Sequence, residues 1–173
     1  MNRHATYALS VLSIAFLGAC ATGMGGPSAS ADLAARSGSA VSGNVVFSEA
    51  GGKLRVEATV AGLTPGEHGF HVHEAGDCSA PDASSAKGHF NPVGQPHGHY
   101  AGPEHHGGDM PNLLADAQGN ARYSAEVSGL SLSGATNGIV GRSVVIHADP
   151  DDYKSQPAGN SGKRVACGVI AVR

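Results

Sequence analysis

The chain has 173 residues, a length that suits one domain with a substantial hydrophobic core. Charged residues make up only 14%, and the formal net charge of −3 argues against a nucleic-acid-binding protein. No apolar run reaches the roughly 18 residues that a transmembrane helix needs. The 26 glycines and the short apolar runs between them favour an all-β fold.

The first 19 residues have the pattern of a secretory signal peptide. Arg3 and His4 form a polar start, and a short apolar stretch follows at 8–17. The segment 17–20 resembles a bacterial lipoprotein cleavage box, in which Cys20 becomes the lipidated first residue of the mature chain. An ordinary signal peptide cleaved nearby is the alternative. Both interpretations predict export, and the first predicts a periplasmic protein that touches a membrane only through the lipid on Cys20.

Residues 21–39 are rich in glycine, serine and alanine and contain little to bury. We interpret residues 20–39 as the lipidated cysteine and a flexible tether. The folded domain is predicted to span residues 40–173.

Seven or eight short strands are predicted in this domain, and no helix. Apolar and polar residues alternate over 54–60, as in a half-buried strand. Residues 112–117 and 121–127 flank a Gln-Gly-Asn turn and predict a hairpin. This pattern is typical of a sandwich or flattened barrel. The other predicted strands cover 41–48, 70–73, 139–147 and 164–172.

A pair of histidines lies on one of the predicted strands. His71 and His73 share one face, whereas Phe70 and Val72 share the other, because side chains alternate along a strand. Same-face neighbours lie ~6.8 Å apart, so the two imidazoles can converge on one ion. By itself such a pair fits a surface or structural role better than a metal site.

Two long segments, 74–110 and 149–162, have no periodicity, and long loops of this kind are usually functional or disordered. Imidazole nitrogens suit zinc and copper, and a carboxylate such as Asp109 can complete a zinc site. A solvated loop that binds metal loosely is the alternative. The strand positions of His71, His73 and His147 favour a preorganised site. The histidines in and around the first loop are His71, His73, His89, His97, His99, His105 and His106.

Two cysteines remain in the predicted domain, Cys78 and Cys167. Export places them where disulfides persist. If Cys20 is lipidated, they can pair only with each other, and the bridge would close a loop of about ninety residues. Two buried free thiols are the alternative.

Four motifs follow one another along the chain, at 69–74, 88–92, 106–109 and 164–170. Together they resemble those of copper/zinc superoxide dismutases, in particular the exported bacterial type. The likeness runs from about Val41 to the C terminus. It implies an all-β, eight-stranded Greek-key flattened barrel or sandwich with two long functional loops. It also implies dismutation of superoxide to dioxygen and hydrogen peroxide by redox cycling of copper.

The resemblance implies one copper and one zinc ion per subunit, bridged by His89. The implied copper ligands are His71, His73, His89 and His147. The implied zinc ligands are His89, His97, His106 and Asp109.

Three further roles follow from the resemblance. Asp151 would link a copper histidine to a zinc histidine. Arg164 would attract and orient the superoxide anion, and His89 would take up and return a proton, so these two are the implied catalytic residues. His99 and His105 lie close enough in sequence to replace His97. Otherwise we expect both of them, and His68, to be exposed.

The span from His147 to Arg164 is shorter than in the cytosolic animal enzymes. It offers only Lys154 and Lys163 as further steering residues. A periplasmic metal-storage or delivery protein and a dismutase-like chaperone are the rival functions. The complete set of implied ligands, together with Arg164, favours the enzyme. The sequence leaves open whether the protein is a monomer or a homodimer.

Overall fold

A computed structural model describes residues 26–173. The predicted signal peptide and Cys20 lie outside the described residues. The described part forms ten β-strands and one 3-10 helix, Ser84–Ala86, and it holds no helix long and apolar enough to cross a membrane. The strands are β1 (Ser28–Ala35), β2 (Ser42–Ala50), β3 (Lys53–Ala61), β4 (Gly66–His68), β5 (Phe70–His73), β6 (Leu113–Ala115), β7 (Ala121–Val127), β8 (Ser143–His147), β9 (Arg164–Val169) and β10 (Ala171–Val172).

Eight strands form one curled antiparallel sheet in the order β5-β8-β9-β1-β2-β3-β7, with β10 also paired to β1. Strands β4 and β6 form a separate antiparallel pair. Strand β9, near the C terminus, thus lies between β8 and β1, so the sheet joins distant parts of the chain. The predicted all-β, eight-stranded fold with two long loops is confirmed.

The hydrophobic core lies on the concave side of this sheet. On β3, Leu54, Val56, Ala58 and Val60 are buried while the residues between them are exposed, as the alternation predicts. Fully buried side chains such as Leu54 each contribute ~1.5–3 kcal/mol to the free energy of unfolding.

The segment predicted as a flexible tether contains a central strand, so the predicted domain boundary at residue 40 is wrong. Strand β1 pairs with β2 from Ser28 opposite Ser48 to Leu33 opposite Gly43, and it also pairs with β9 and β10. Its alternate residues enter the core. The prediction failed because alanine and serine carry a weak strand signal, which pairing on both sides overrides. The buried residues of β1 are Ala29, Ala31 and Leu33.

The predicted hairpin around residues 118–120 is also wrong. The turn itself exists, since the amide of Asp116 donates to the carbonyl oxygen of Asn120 over 2.9 Å. However, β6 pairs with β4 and β7 pairs with β3. Turn residues reverse the chain locally, whereas the partner of each strand depends on the rest of the barrel.

Strands β5 and β8 together position the histidines. Phe70 and Val72 lie opposite Ile146 and Val144, and all four enter the core. The opposite face of the pair carries the predicted ligands. The long segments 74–112 and 148–163 cover that face and bury it. The residues on the covered face are His71, His73, Ser143, Val145 and His147.

The predicted disulfide between Cys78 and Cys167 is confirmed, with the two Cα atoms 5.7 Å apart. It joins the first long loop to β9. Around it pack Ala83, Ala86 and Val145, so this end of the loop has a small hydrophobic cluster of its own.

Candidate metal centre

Buried histidines converge in two adjacent groups that share one residue, His89. Within each group the candidate ligand atoms lie within 4.8 Å of one another. These groups contain every predicted copper and zinc ligand and no other described residue. The first group is His71, His73, His89 and His147. The second group is His89, His97, His106 and Asp109.

Main-chain hydrogen bonds to the free edge of β5 bring two loop ligands into place. The amide of Val72 donates to the carbonyl oxygen of Gly108 over 3.0 Å, and the amide of Phe90 donates to that of Val72 over 2.8 Å. These bonds place His89 beside His73, and Asp109 beside His71, as isolated β-bridges. Gly108 is required here because a Cβ atom would collide with the carbonyl oxygen of Val72. The loop is therefore docked on the strand that carries the first two histidines.

Six buried imidazole nitrogens have no hydrogen-bond partner among the described residues, and all six face the two groups. An unpaired buried polar atom is costly, so a set of six pointing inward suits cations held at these places. The nitrogens are His71 Nδ1, His73 Nε2, His89 Nε2, His97 Nδ1, His106 Nδ1 and His147 Nε2.

In three of these histidines, the other ring nitrogen donates a hydrogen bond to an oxygen acceptor. His71 Nε2 donates to Asp151 Oδ2 over 2.8 Å, and His97 Nε2 donates to Asp151 Oδ1 over 2.9 Å. His73 Nδ1 donates to the carbonyl oxygen of Lys87 over 2.9 Å. A proton fixed on one nitrogen leaves the other free as a metal ligand. Asp151 therefore joins one histidine of each group, which is the contact that the resemblance implies.

A backbone requirement accompanies this contact. Gly159 has φ +64°, and a Cβ atom there would overlap with Asp151 Oδ1 and lie too close to His97 Nε2. Glycine at this position keeps the space in which the carboxylate and the imidazole meet.

The second group has the spacing of a zinc site. His89 Nδ1 lies 2.8 Å from Asp109 Oδ1, His97 Nδ1 lies 3.0 Å from Asp109 Oδ2, and His106 Nδ1 lies 3.5 Å from Asp109 Oδ1. Ligand atoms ~2.0 Å from one tetrahedral zinc ion are ~3.3 Å from each other. The three nitrogens and the carboxylate therefore fit one zinc ion. The four nitrogens of the first group suit copper.

Burial and charge prepare most of these ligands for metal. Burial and neighbouring imidazoles hold the pKa values of His73 and His147 well below the usual range and lower that of His89 to about 4. Neutral imidazole is the form that binds metal. Burial lowers the pKa of His97, but the neighbouring carboxylates of Asp109 and Asp151 outweigh burial and raise it to about 9.

Both carboxyl groups remain ionised. Burial raises the pKa of Asp109, but contacts with His106, His89 and His97 outweigh it and keep this pKa well below the usual range. Asp151 behaves in the same way, with His71 as its main partner. The negative charges of Asp109 and Asp151, next to these imidazoles, favour the binding of cations.

Comparison with known proteins agrees with this geometry. A family model described as "Copper/zinc superoxide dismutase (SODC)" matches residues 41–170. This chain belongs to the copper/zinc superoxide dismutase family.

Several relatives within this family cover most of the chain. "Superoxide dismutase [Cu-Zn]" of Deinococcus radiodurans is 43% identical over 167 residues, which is 89% of each chain. "Superoxide dismutase [Cu-Zn] 2" of Aquifex aeolicus is 44% identical over 75% of this chain and 79% of its own length. The solved structure titled "Crystal Structure Analysis of the clock protein EA4" is 40% identical, with a TM-score of 0.78, over 84% of this chain and 94% of that chain.

In this superoxide dismutase family member, a cavity of about 210 Å³ leads to the first group of histidines. His147 and Arg164 both line it. Arg164 Nη1 donates to the carbonyl oxygen of Ala83 over 2.7 Å, which fixes the guanidinium beside the opening. The disulfide lies close to both partners, since Cys167 follows on the strand of Arg164 and Ala83 packs in its cluster. A small anion entering the cavity meets this positive charge.

The three remaining histidines of the described residues have different surroundings. His99 is exposed, as predicted, whereas His105 is half-buried. The predicted exposure of His68 is wrong. It is 2% exposed, and its ring nitrogens lie 2.8 Å from the carbonyl oxygens of His147 and Thr64. A signal was present in the sequence, because residue 68 has the same parity as the inward-facing Phe70 and Val72.

Sequence reasoning also missed two side-chain amides beside the second group. Asn112 Nδ2 donates to the carbonyl oxygen of Asp151 over 3.0 Å, and its Oδ1 accepts from the amide of Asp151 over 3.0 Å. The side-chain amide of Gln156 likewise makes two hydrogen bonds with the main chain of His97. No sequence pattern marked either residue, because each acts on a partner far away along the chain.

Proposed function

We propose that this protein converts two superoxide anions and two protons into dioxygen and hydrogen peroxide. One copper ion is held by the first group of histidines, and one zinc ion by the second group. The observation that carries this proposal is the set of six unpaired, buried imidazole nitrogens that face two groups joined by His89. Family membership alone is insufficient, since a solved relative is titled a clock protein.

When bound, copper supplies a one-electron redox couple, and zinc supplies a fixed positive charge. The chain supplies the rest. Arg164 draws the anion into the cavity and orients it beside His147. His89 faces both groups, and its Nε2 atom can hold a proton and deliver it to the peroxide. Asp151 holds the rings of His71 and His97 in the orientation that binds metal.

Pulse radiolysis of the protein loaded with copper and zinc tests this function. We expect superoxide to decay far faster than it does spontaneously, at a rate approaching the diffusion limit known for this class of enzyme. The zinc-only protein is the matched control and should be inactive, because zinc has no redox chemistry. Decay at the spontaneous rate in the copper- and zinc-loaded protein would support a storage or chaperone function instead.

We also propose that the protein is exported to the bacterial periplasm and anchored through a lipid on Cys20. The apolar stretch at 8–17 and the cleavage-box pattern at 17–20 support this location. The Cys78–Cys167 disulfide is consistent with an oxidising compartment. Since strand β1 begins at Ser28, residues 28–35 belong to the folded domain and not to a tether.

Mass spectrometry of the mature N terminus tests the anchor. We expect a first residue Cys20 that carries acyl chains, and Cys20→Ala should prevent their attachment. A mature chain that begins elsewhere without lipid would leave an ordinary secreted protein.

A further inference from the structure

His97 differs from the other six ligand positions in how its main chain is held. His71, His73 and His147 lie in paired strands, and His89 and Asp109 lie in β-bridges. His106 is joined to Asp109 by hydrogen bonds of its amide and its carbonyl group. His97 has no strand or bridge, and within the described residues Gln156 makes the only hydrogen bonds to its main chain.

The contact between Gln156 and His97 has two reciprocal bonds. Gln156 Oε1 accepts from the amide of His97 over 3.0 Å, and Gln156 Nε2 donates to its carbonyl oxygen over 2.8 Å. An amide side chain thus takes the place of a neighbouring strand.

Gln156 is itself held in place by the second long loop. The carboxylate of Asp152 accepts hydrogen bonds from the amides of Lys154 and Ser155, at 2.9 and 2.8 Å. The amide of Asp152 donates to the carbonyl oxygen of Gly159 over 3.0 Å, which closes the turn that carries Gln156.

The same loop also holds the ring of His97 through Asp151. One loop therefore fixes both the imidazole and the main chain of this ligand. Gln156 also lines the cavity that contains Arg164, so the residue that holds the second group also forms the wall in front of the first.

We propose that Gln156 is a positioning residue for the zinc ion, which fixes Nδ1 of His97 in the second group by holding its main chain. This inference rests on the proposed function, in which that group holds zinc. It predicts that loss of the two amide bonds weakens zinc retention while copper retention stays nearly unchanged.

The test compares Gln156→Met with the wild type. Methionine has a similar shape and neither hydrogen bond. In the protein loaded with copper and zinc, we expect zinc to pass to a chelator roughly tenfold faster, the range seen when an outer-shell partner is lost. Copper loss should change by less than about twofold, because no copper ligand depends on Gln156 for its main-chain position.

Two further variants separate positioning from general loosening of the loop. Gln156→Glu keeps the bond from the amide of His97 and should show a smaller increase in zinc loss. The control is Gln95→Ala, two residues before His97. Among the described residues the main chain of Gln95 bonds to Asn91 but its side-chain amide makes no hydrogen bond, so this variant should behave as the wild type. Cobalt(II) substituted for zinc should show an altered visible spectrum in Gln156→Met and an unaltered one in Gln95→Ala.

Equal zinc loss in Gln156→Met and wild type would overturn the inference. So would equal acceleration of zinc and copper loss, since that indicates a loosened loop. If Gln156→Met does not fold, Gln156→Glu carries the same test. A wild-type protein that retains no zinc would contradict the proposed function instead, so the two failures can be distinguished.

Discussion

At the scale of single residues, His89 connects the two metal groups. Its Nε2 is unpaired and faces the first group, and its Nδ1 lies 2.8 Å from Asp109 in the second. Stacking on His71, with ring centroids 3.8 Å apart, fixes the plane of its ring. One imidazole can bridge two ions only in its deprotonated form, which two cations stabilise.

His147 provides a test of the copper group by itself. His147→Ala removes one of four nitrogens, and copper affinity should fall by more than ~100-fold, beyond the cost of losing an outer-shell partner. Zinc content should stay near the wild-type value, because His147 belongs to the first group only. Metal analysis and a dismutation assay measure both. His99→Ala is the matched control, since His99 lies outside both groups.

Retained copper and activity in His147→Ala would refute the role of His147 as a ligand. Loss of both metals would instead show that His147 is needed for the fold of the whole site.

Arg164 is the residue whose charge should set the rate. Arg164→Ala should lower the second-order rate constant roughly tenfold or more and reduce its dependence on ionic strength, because the attraction of the anion is lost. Metal content should not change, since the guanidinium contacts neither group. The measurement is pulse radiolysis at several salt concentrations.

The adjacent Lys163 supplies the control for Arg164. Lys163→Ala makes the same change in net charge at a position outside the cavity lining. A rate constant lowered as much by Lys163→Ala as by Arg164→Ala would mean that overall charge, rather than the fixed guanidinium, attracts superoxide.

At the scale of elements, strand β5 organises the site. It pairs with β8 on one side and receives the segments around Phe90 and Gly108 on the other. Its alternation sends Phe70 and Val72 into the core and His71 and His73 towards the loops. Paired strands thus supply three of the candidate ligands, and docked loops supply the rest.

Strand β1 is an element whose removal should prevent folding. A chain that begins at residue 40 lacks the strand between β9 and β2 and exposes the main-chain groups of both. We expect this truncation to be unfolded or aggregated, whereas a chain that begins at residue 26 should fold. Circular dichroism and size-exclusion chromatography compare the two. A folded chain from residue 40 would restore the tether interpretation for residues 28–39.

At the scale of the whole molecule, the metal groups join segments far apart in the sequence. The candidate ligands run from His71 to His147 and come from two strands and the first long loop. Asp151 connects the second long loop to these residues, and the disulfide connects β9 to the first long loop. Binding energy of the metals therefore contributes to the free energy of unfolding.

Removal of both metals should lower the melting temperature by at least about 10 °C. A ligand at ~1,000 times its dissociation constant stabilises by ~4 kcal/mol, and each kcal/mol corresponds to ~2–4 °C in a chain of this size. Calorimetry before and after chelation measures the change, and return of copper and zinc should reverse it. An unchanged melting temperature would contradict tight binding of the two ions at preorganised sites.

The metal-free protein should be most stable near pH 6.5. Lowered pKa values of His73, His89 and His147 mean that the unfolded chain binds more protons in acid, so stability falls as the pH drops from about 6.5 towards 4. The pKa of His97, raised to about 9, stabilises the native state below about 6.5, and that contribution is lost as the pH rises through 9.

Urea unfolding of the chelated protein between pH 4 and 9.5 measures this profile. His97→Asn should flatten its alkaline side, while a profile that rises steadily to pH 9 would contradict the raised pKa.

The sequence by itself determined most strand positions and the identity of the candidate metal ligands. Alternation predicted the strand at 54–60 and the opposite faces of His71 and Phe70, because a strand's side chains alternate whatever surrounds it. The four motifs contain five of the seven candidate ligands that the structure brings together, and the resemblance that they carry implied the other two, His97 and His147.

Only the tertiary structure decided the rest. Strand β1 pairs with distant strands, and β6 and β7 pair with β4 and β3 and not with each other. Local strand propensity does not contain information about such partners. The buried position of His68, the bond from Gln156 to His97 and the place of Asp151 between two rings likewise arise from contacts between distant segments. Those contacts exist only once the sheet has formed and both loops have packed against β5.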